Sequence, residues 1–543
     1  MENNYASQSL DHLGLVSGMY DYLGIGEKLD ALISQDETQR LVSIGQICKA
    51  LVLMGLGFTQ RALYLVSSYF SDKPVDRLIG PGIDASMLND SVLGRGLDRL
   101  YDSGTTELFA QLAPQICSRL GLDGRFGHMD ITSFHLDGKY NSDDPPGEDS
   151  RVIHLTKGYS RDHRPDLNQV VLNLITENRA GIPLHMESLS GNSNDRSSFR
   201  QTIEQHIDGL NQTYELEYLI MDSAGYSEEI IGLLGEKQKW ICRVPETLKR
   251  CRELVASPDP AWKPLQPGYR YVPHQVTYAG VRQRWLLIYS EAARTRELKT
   301  LKKAHLKKSE QEHKALDRLC RQAFGCEQDA INAYDRFAAK CKTLSLQRLP
   351  CHKKPCYPGV GRPAQDASPD HIEYYLQVQV ACSIELYEHK ARTKGRWVVA
   401  TNELKTTKLS PYDLLSNYKG QIKVEKGFRF MKDPQFIAQS FFVQKPQRVE
   451  ALLFIMTLCL CVYAAIEYRI RQQLIQHNQT VPNQLGKEVQ NPTARWLFHL
   501  FQGIHLLHIQ PTRQTLILNL KPLHHRMLEL LGTPFLQYYQ SSA

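Results

Sequence analysis

Residues 126–136 read FGHMDITSFHL. β-Branched and aromatic side chains crowd this stretch without an apolar stripe at helical spacing, which predicts a strand. The same character returns in VIHLTKGYS (152–160), NQVVLNLITEN (168–178), GIPLHMESL (181–189), YELEYLIMD (214–222) and WICRVP (240–245). Polar Gly/Pro/Asp/Asn segments punctuate these runs, and a helical segment at 227–237 separates the last two. Short strands in close succession with an interposed helix predict an α/β domain over residues 121–247.

Outward from this sheet the character changes on both sides. Upstream, residues 1–120 read as a helical domain. Ser43 can cap a helix whose Ile44, Ile47, Cys48, Leu51 and Val52 fall on one stripe. Asn89 or Asp90 precedes a second stripe of Val92, Leu93, Leu97, Leu100 and Tyr101, after a Gly-Pro-Gly turn at 80–82. Downstream, residues 248–396 read as a mixed β/α insertion. Strand-like RYVPHQVTYAGV (270–281) and RWLLIYS (284–290) lead into a charged helical region over 292–341, a loop CHKKPCYPGVGRP (351–363) and a strand from His371. Residues 397–480 then supply a strand, RWVVATNEL (396–404), a helix over 411–432 and a buried apolar helix from Ala451; residues 481–543 close the chain.

The bulk properties exclude more than they assign. A hydrophobic content of 42% with 26 Tyr and 17 Phe excludes a disordered chain. A net charge of +7 is too small over 543 residues to single out nucleic acid, so clustering must decide. The apolar run at 451–466 is shorter than the roughly 20 residues of a membrane span, and a core helix is expected in place of a membrane partner. The first residues carry no basic-then-apolar leader, so a cytoplasmic location is expected, with the twelve cysteines as thiols. Cys341, Cys351, His352 and Cys356 lack a second pair at zinc-site spacing, and free thiols are the expectation there.

Three acids carry the chemistry. Asp130 lies inside the strand HMDIT, where a carboxylate needs a partner, and Asp222 ends the strand YLIMD, where the sheets of α/β proteins bind ligands. Alone, each reads first as a structural acid, Asp130 salt-bridged and Asp222 capping a turn. In YKGQIKVEKGFRFMK (418–432), Tyr418, Gln421, Glu425 and Lys432 fall within roughly 60° of one helix face at 100° per residue. Lys419, Lys423, Lys426 and Arg429 make the surroundings of Glu425 basic. A carboxylate on such a face suits a metal beside a phosphate backbone. A second basic cluster, Arg294, Arg296, Lys299, Lys302, Lys303, Lys307 and Lys308 against Glu297, reads either as a solvated helix face or as a phosphate contact.

Tyr418-x2-Gln421-x3-Glu425-x6-Lys432 resembles the Y-x2-R-x3-E-x6-K signature of the IS-four superfamily of bacterial insertion-sequence transposases, with Gln421 in place of the arginine. KGYSRDHRPDLNQV (157–170), GIPLHMESLSGN (181–192), MDSAGYS (221–227) and SPYDLLSNYKGQ (410–421) are similar to its larger branch, which has a distinct helical N-terminal domain. The resemblance implies a ribonuclease H-like catalytic core interrupted by the mixed β/α insertion, with a helical N-terminal domain that binds DNA ends and a helical C-terminal region. It implies catalytic and metal-binding roles for Asp130, Asp222 and Glu425, which would hold two Mg2+ ions, with Mn2+ able to substitute. DNA contacts would come from Tyr418, Gln421, Lys432, Lys157, Arg161 and Arg164. Trp262, Trp285 and Trp397 are the candidates for holding a flipped base. The implied partners are terminal inverted repeats and target DNA, with a homodimer in the synaptic complex, near the nucleoid. Two other readings stay open: a metal-dependent nuclease without strand transfer, and an inactive DNA-binding descendant whose support is Gln421.

Overall fold

The computed structural model describes residues 5–542 apart from 35–40, 59–64, 137–151, 160–163, 259, 359–365, 434–442, 444, 511 and 513. Its first part comprises β1 (Tyr5–Ser9), α1 (Leu13–Tyr22), α2 (Ile25–Leu32), α3 (Ile44–Leu56), α4 (Val66–Phe70), α5 (Val75–Leu78), α6 (Asp90–Asp102) and α7 (Thr105–Leu120). Ser43 starts α3 through a capping box, its hydroxyl accepting from the Gln46 amide (3.1 Å) while Gln46 Oε1 accepts from the Ser43 amide (2.9 Å). Asn89 caps α6 by accepting from the Val92 amide at 3.0 Å. β1 is absent from the sequence reading, because its partner lies at the far end of the chain.

The sheet follows: β2 (Phe126–Leu136), β3 (Asn168–Glu177), β4 (Pro183–Ser190), α8 (Asp195–Tyr214), β5 (Tyr218–Met221), α9 (Glu228–Leu234) and β6 (Lys239–Val244). These strands run in the order β4-β3-β2-β5-β6. β4, β3 and β2 are antiparallel neighbours, whereas β5 and β6 run parallel to β2. β3 is buried along almost its whole length, which is why its sequence is a near-continuous apolar run rather than an alternation.

The chain continues with α10 (Lys249–Ala256), β7 (Lys263–Gln266), β8 (Tyr269–Tyr278), β9 (Val281–Ser290), α11 (Glu291–Cys320), α12 (Glu327–Ala338), β10 (Leu344–Cys356), β11 (His371–Cys382), α13 (Ile384–Arg392) and β12 (Arg396–Thr401). The charged helical region is thus two helices. CHKKPC, expected as part of a loop, is instead the end of β10, paired with β11 in a two-stranded ribbon that tolerates Pro355 because neither strand is central. Cys351 lies in a small core with Ala330 and Leu376. Cys356 is grouped with His371 and Glu373 rather than with Cys351 or Cys341.

The last part carries α14 (Pro411–Lys419), α15 (Ile422–Met431), α16 (Pro446–Gln476), β13 (Val481–Pro482), β14 (Glu488–Val489), α17 (Ala494–Leu500), β15 (His505–Ile509), β16 (Gln514–Leu518), α18 (Pro522–Leu531) and α19 (Thr533–Leu536). The expected helical C-terminal region is therefore mixed: β15 pairs with both β1 and β16. α16 is longer than its apolar run and long enough to cross a membrane, but 83% of its most apolar 18-residue window is buried in the protein. It packs against α1, α3, α6, α7 and β4, so it is a core helix.

By contacts the chain forms two compact units, one of residues 1–243, 277–283 and 401–543, the other of residues 244–276 and 284–400. Asp130, Asp222 and Glu425 all belong to the first.

Candidate active site

Register places the two aspartates. β2 and β5 are parallel neighbours in which Met129 pairs with Met221, so the next residue on each strand is an aspartate: Asp130 on β2 and Asp222 just past β5. Adjacent strands lie about 4.8 Å apart, and side chains at matched positions point to the same face. Both residues are half-buried. Asp130 Oδ1 accepts from the Ile131 amide at 2.8 Å, and Asp222 Oδ1 accepts from the Ala224 amide at 2.9 Å, capping the turn after β5.

The segment bearing Glu425 is laid along β2. The expected continuous helix over 411–432 is two helices, α14 and α15, joined at Gly420 and Gln421. Both linking residues keep right-handed helical dihedrals, and the bonds tighten to the i→i+3 kind, from Gln421 N to Tyr418 O (3.2 Å) and from Lys423 N to Gly420 O (2.9 Å). Glycine is required at 420 by close approach. A Cβ there would run into the Asn178 side chain, meet His128 Nε2 at 2.8 Å and meet the Asn417 carbonyl at 2.9 Å.

Gln421, 8% exposed, fastens the joint to the sheet. Its Nε2 donates to the Met129 carbonyl (3.3 Å), which turns Oε1 toward His128 Nδ1 at 3.0 Å. His128 Nε2 lies 2.8 Å from the Asn178 amide oxygen, and Asn178 also bonds Asn417 on α14 at 2.7 Å. Burial pushes the His128 pKa down, against the upward pull of its two amide partners. At the other end of α15, Lys432 Nζ lies 5.8 Å from the centroid of the Phe134 ring. His128, Asp130 and Phe134 alternate onto one face of β2. Glu425 lies between Gln421 and Lys432 on one face of α15, as Asp130 lies between His128 and Phe134 on β2. Its own side chain is exposed.

Tyr418 approaches from α14. Its hydroxyl pKa is pushed up to about 12, chiefly by burial, with Arg243 opposing and Cys242 and Asp222 adding to the rise. Asp222 thus lies within electrostatic reach of Tyr418, whose phenol stays protonated at neutral pH. Lys157 is exposed, next to Thr156, which bridges to Gln169 at the start of β3. Arg164 pairs with Asp166 at 2.9 Å, and Arg161 lies outside the described residues. In the second unit Trp262 packs on Tyr289 (5.5 Å between centroids) beneath Arg396, and Trp397 is half-buried. Trp285 is 1% exposed, packed in the core. His128 and Asn178 carry no motif that would have marked them in the sequence.

An α/β unit with an acidic group on its central strands and a basic helix laid beside it fits the class of enzymes that process polynucleotides. The family is specific: residues 130–462, a span that opens on Asp130 and includes Asp222 and Glu425, match the model of the transposase DDE domain. The chain belongs to this family and is a DDE transposase. Residues 5–114 match a domain of unknown function, DUF4277. No curated protein matches the chain. Among solved structures it is similar to a piggyBac transposase synaptic complex with hairpin DNA, at 9% identity and a TM-score of 0.37, over 96% of this chain and 85% of that one.

Proposed function

We propose that this transposase cleaves the ends of an insertion sequence of the IS-four type and joins the resulting 3′-hydroxyls to target DNA, using Asp130, Asp222 and Glu425 on a ribonuclease H-like core. The observation that carries this reading is the Met129–Met221 register, which sets Asp130 beside Asp222 on the strands to which the Glu425 segment is fastened. The donor set, three carboxylates without sulfur, suits a hard oxygen-seeking cation such as Mg2+. Two such ions bound there would supply the charge that activates a water or a 3′-hydroxyl and steadies the leaving oxygen.

The protein's own groups bind and orient. The protonated Tyr418 phenol offers a hydrogen bond toward a phosphate beside Asp222, and Lys432 and Lys157 offer positive charge. Arg164, paired with Asp166, is a further candidate phosphate contact, Arg161 is proposed from its place in the sequence alone, and Trp262 and Trp397 remain the aromatic candidates for an unstacked base. Gln421 acts through position: it holds the Glu425 helix on β2. No protein nucleophile is required, because phosphoryl transfer depends on positioning and charge stabilisation. The same carboxylates then serve cutting and joining. Pairing two inverted-repeat ends calls for a homodimer, and the substrate places the protein in the bacterial cytoplasm, at the nucleoid.

The test uses labelled inverted-repeat ends with Mg2+ or Mn2+. Asp130→Asn, Asp222→Asn and Glu425→Gln are each expected to lower cleavage about a thousandfold or more while retaining DNA binding. Pre-cut ends are expected to join to target DNA. Cleavage without joining would leave a nuclease, and undiminished cleavage in the three variants would remove the carboxylates from the chemistry.

A further inference from the structure

We propose that His185, Glu187 and His206 form a binding site for a zinc-class divalent cation between β4 and α8, separate from the carboxylates of the DDE group. His185 and Glu187 are two residues apart on β4 and so share a face, and His206 on α8 faces them. The two imidazole rings lie 4.6 Å apart between centroids, at 39° to one another. One donor atom from each of the three residues lies within 4.8 Å of the others.

The surroundings are built to hold such a ligand set. His185 is 3% exposed, and its Nε2 has no hydrogen-bond partner among the described residues. A buried ring nitrogen left in this way is costly, and a cation would satisfy it. Glu187 is held in place: the Thr202 hydroxyl, one turn before His206, lies 2.9 Å from both Glu187 Oε2 and the Ser198 carbonyl, and it accepts from Asn173 at 2.6 Å. Asn173 is also the strand partner of Glu187 across the β3–β4 pair. Metal-binding carboxylates are commonly oriented by such hydrogen bonds. Two imidazoles and one carboxylate select a borderline ion of the zinc class over Mg2+, which prefers oxygen donors. Bound there, the ion would tie α8 to the sheet through groups from both elements.

Full-length protein stripped of metal, returned to excess Mg2+ to fill the all-oxygen site, is titrated with Co2+ and then Zn2+. Wild type is expected to take up an equivalent of Co2+ with visible ligand-field bands, displaced by Zn2+ and accompanied by a rise in Tm. His206→Ala and Glu187→Gln are expected to weaken that affinity by about tenfold or more and to abolish the rise. Asp130→Asn and Cys356→Ala, the latter removing a ligand from the partly exposed Cys356, His371 and Glu373 group, are expected to leave both unchanged. Equal Co2+ and Zn2+ binding in wild type, His206→Ala and Glu187→Gln would overturn the proposal, as would a Co2+ spectrum dominated by sulfur charge transfer. Far-UV circular dichroism checks folding; if His206→Ala fails to fold, the near-isosteric Glu187→Gln decides.

Discussion

Gln421 stands where the signature that residues 418–432 resemble carries an arginine, and its amide is spent on His128 and the Met129 carbonyl. Removing it leaves a buried imidazole nitrogen and a strand carbonyl without their partner, a cost of about 1–3 kcal/mol. Gln421→Ala is therefore expected to lower stability by that amount in denaturant unfolding. It should also lower kcat by more than it changes DNA affinity, since the loss acts through the Glu425 helix. An unchanged kcat with a weakened Kd would instead assign Gln421 to the DNA. The sequence reveals Asp130 inside a strand and Asp222 at a strand end, because each lies in a short apolar β run. It does not reveal that the two are neighbours, since that depends on a pairing register between distant segments. Nor does it reveal His128, whose role exists only once α15 is docked.

At the scale of elements, the joint between α14 and α15 is the part least visible beforehand. Gly420 and Gln421 keep helical dihedrals, so side-chain periodicity runs through the joint while the hydrogen bonds tighten. A Cβ at position 420 would press on His128, Asn178 and Asn417, and Gly420→Ala is expected to cost about 1–3 kcal/mol by overpacking. A Tm equal to that of wild type, with full cleavage activity, would show that the joint needs no glycine. Lys157 tests the edge near β3. Lys157→Ala is expected to weaken binding to all DNA sequences alike and to reduce the slope of log Kd against log salt by about one. A sequence-dependent loss would contradict a phosphate contact there. β10 was hidden by its Cys, Lys and Pro content, which a two-stranded ribbon accepts and a central strand would not.

Across the whole first unit, the two ends of the chain are folded together. β1 pairs with β15, and the ammonium of Lys49, a buried residue of α3, bonds Asp21 at 2.7 Å and the Tyr538 hydroxyl at 3.0 Å. Such pairing escapes any local pattern, and for the same reason YASQS (5–9) reads as nothing in isolation. His12 belongs to this closure: its ring stacks on Phe498 at 4.5 Å, and its Nε2 bonds the Leu56 carbonyl at 2.8 Å. Burial holds its pKa below the ordinary 6.5. As pH falls below about 6.5 the unfolded chain takes up a proton at this position before the folded chain does, so the stability present above that pH is lost on acidification. The fall of Tm between neutral pH and pH about 5 is expected to be shallower in His12→Phe than in wild type; equal slopes would contradict a buried neutral His12.

Whether Asp130, Asp222 and Glu425 meet around bound metal is decided by a crystal structure of the DNA-bound enzyme with Mn2+, read from anomalous scattering. Two Mn2+ peaks about 3.5–4 Å apart, held by the carboxylates of Asp130, Asp222 and Glu425, are expected. Peaks bound elsewhere, or a Glu425 carboxylate that stays remote from both ions with DNA in place, would contradict that arrangement.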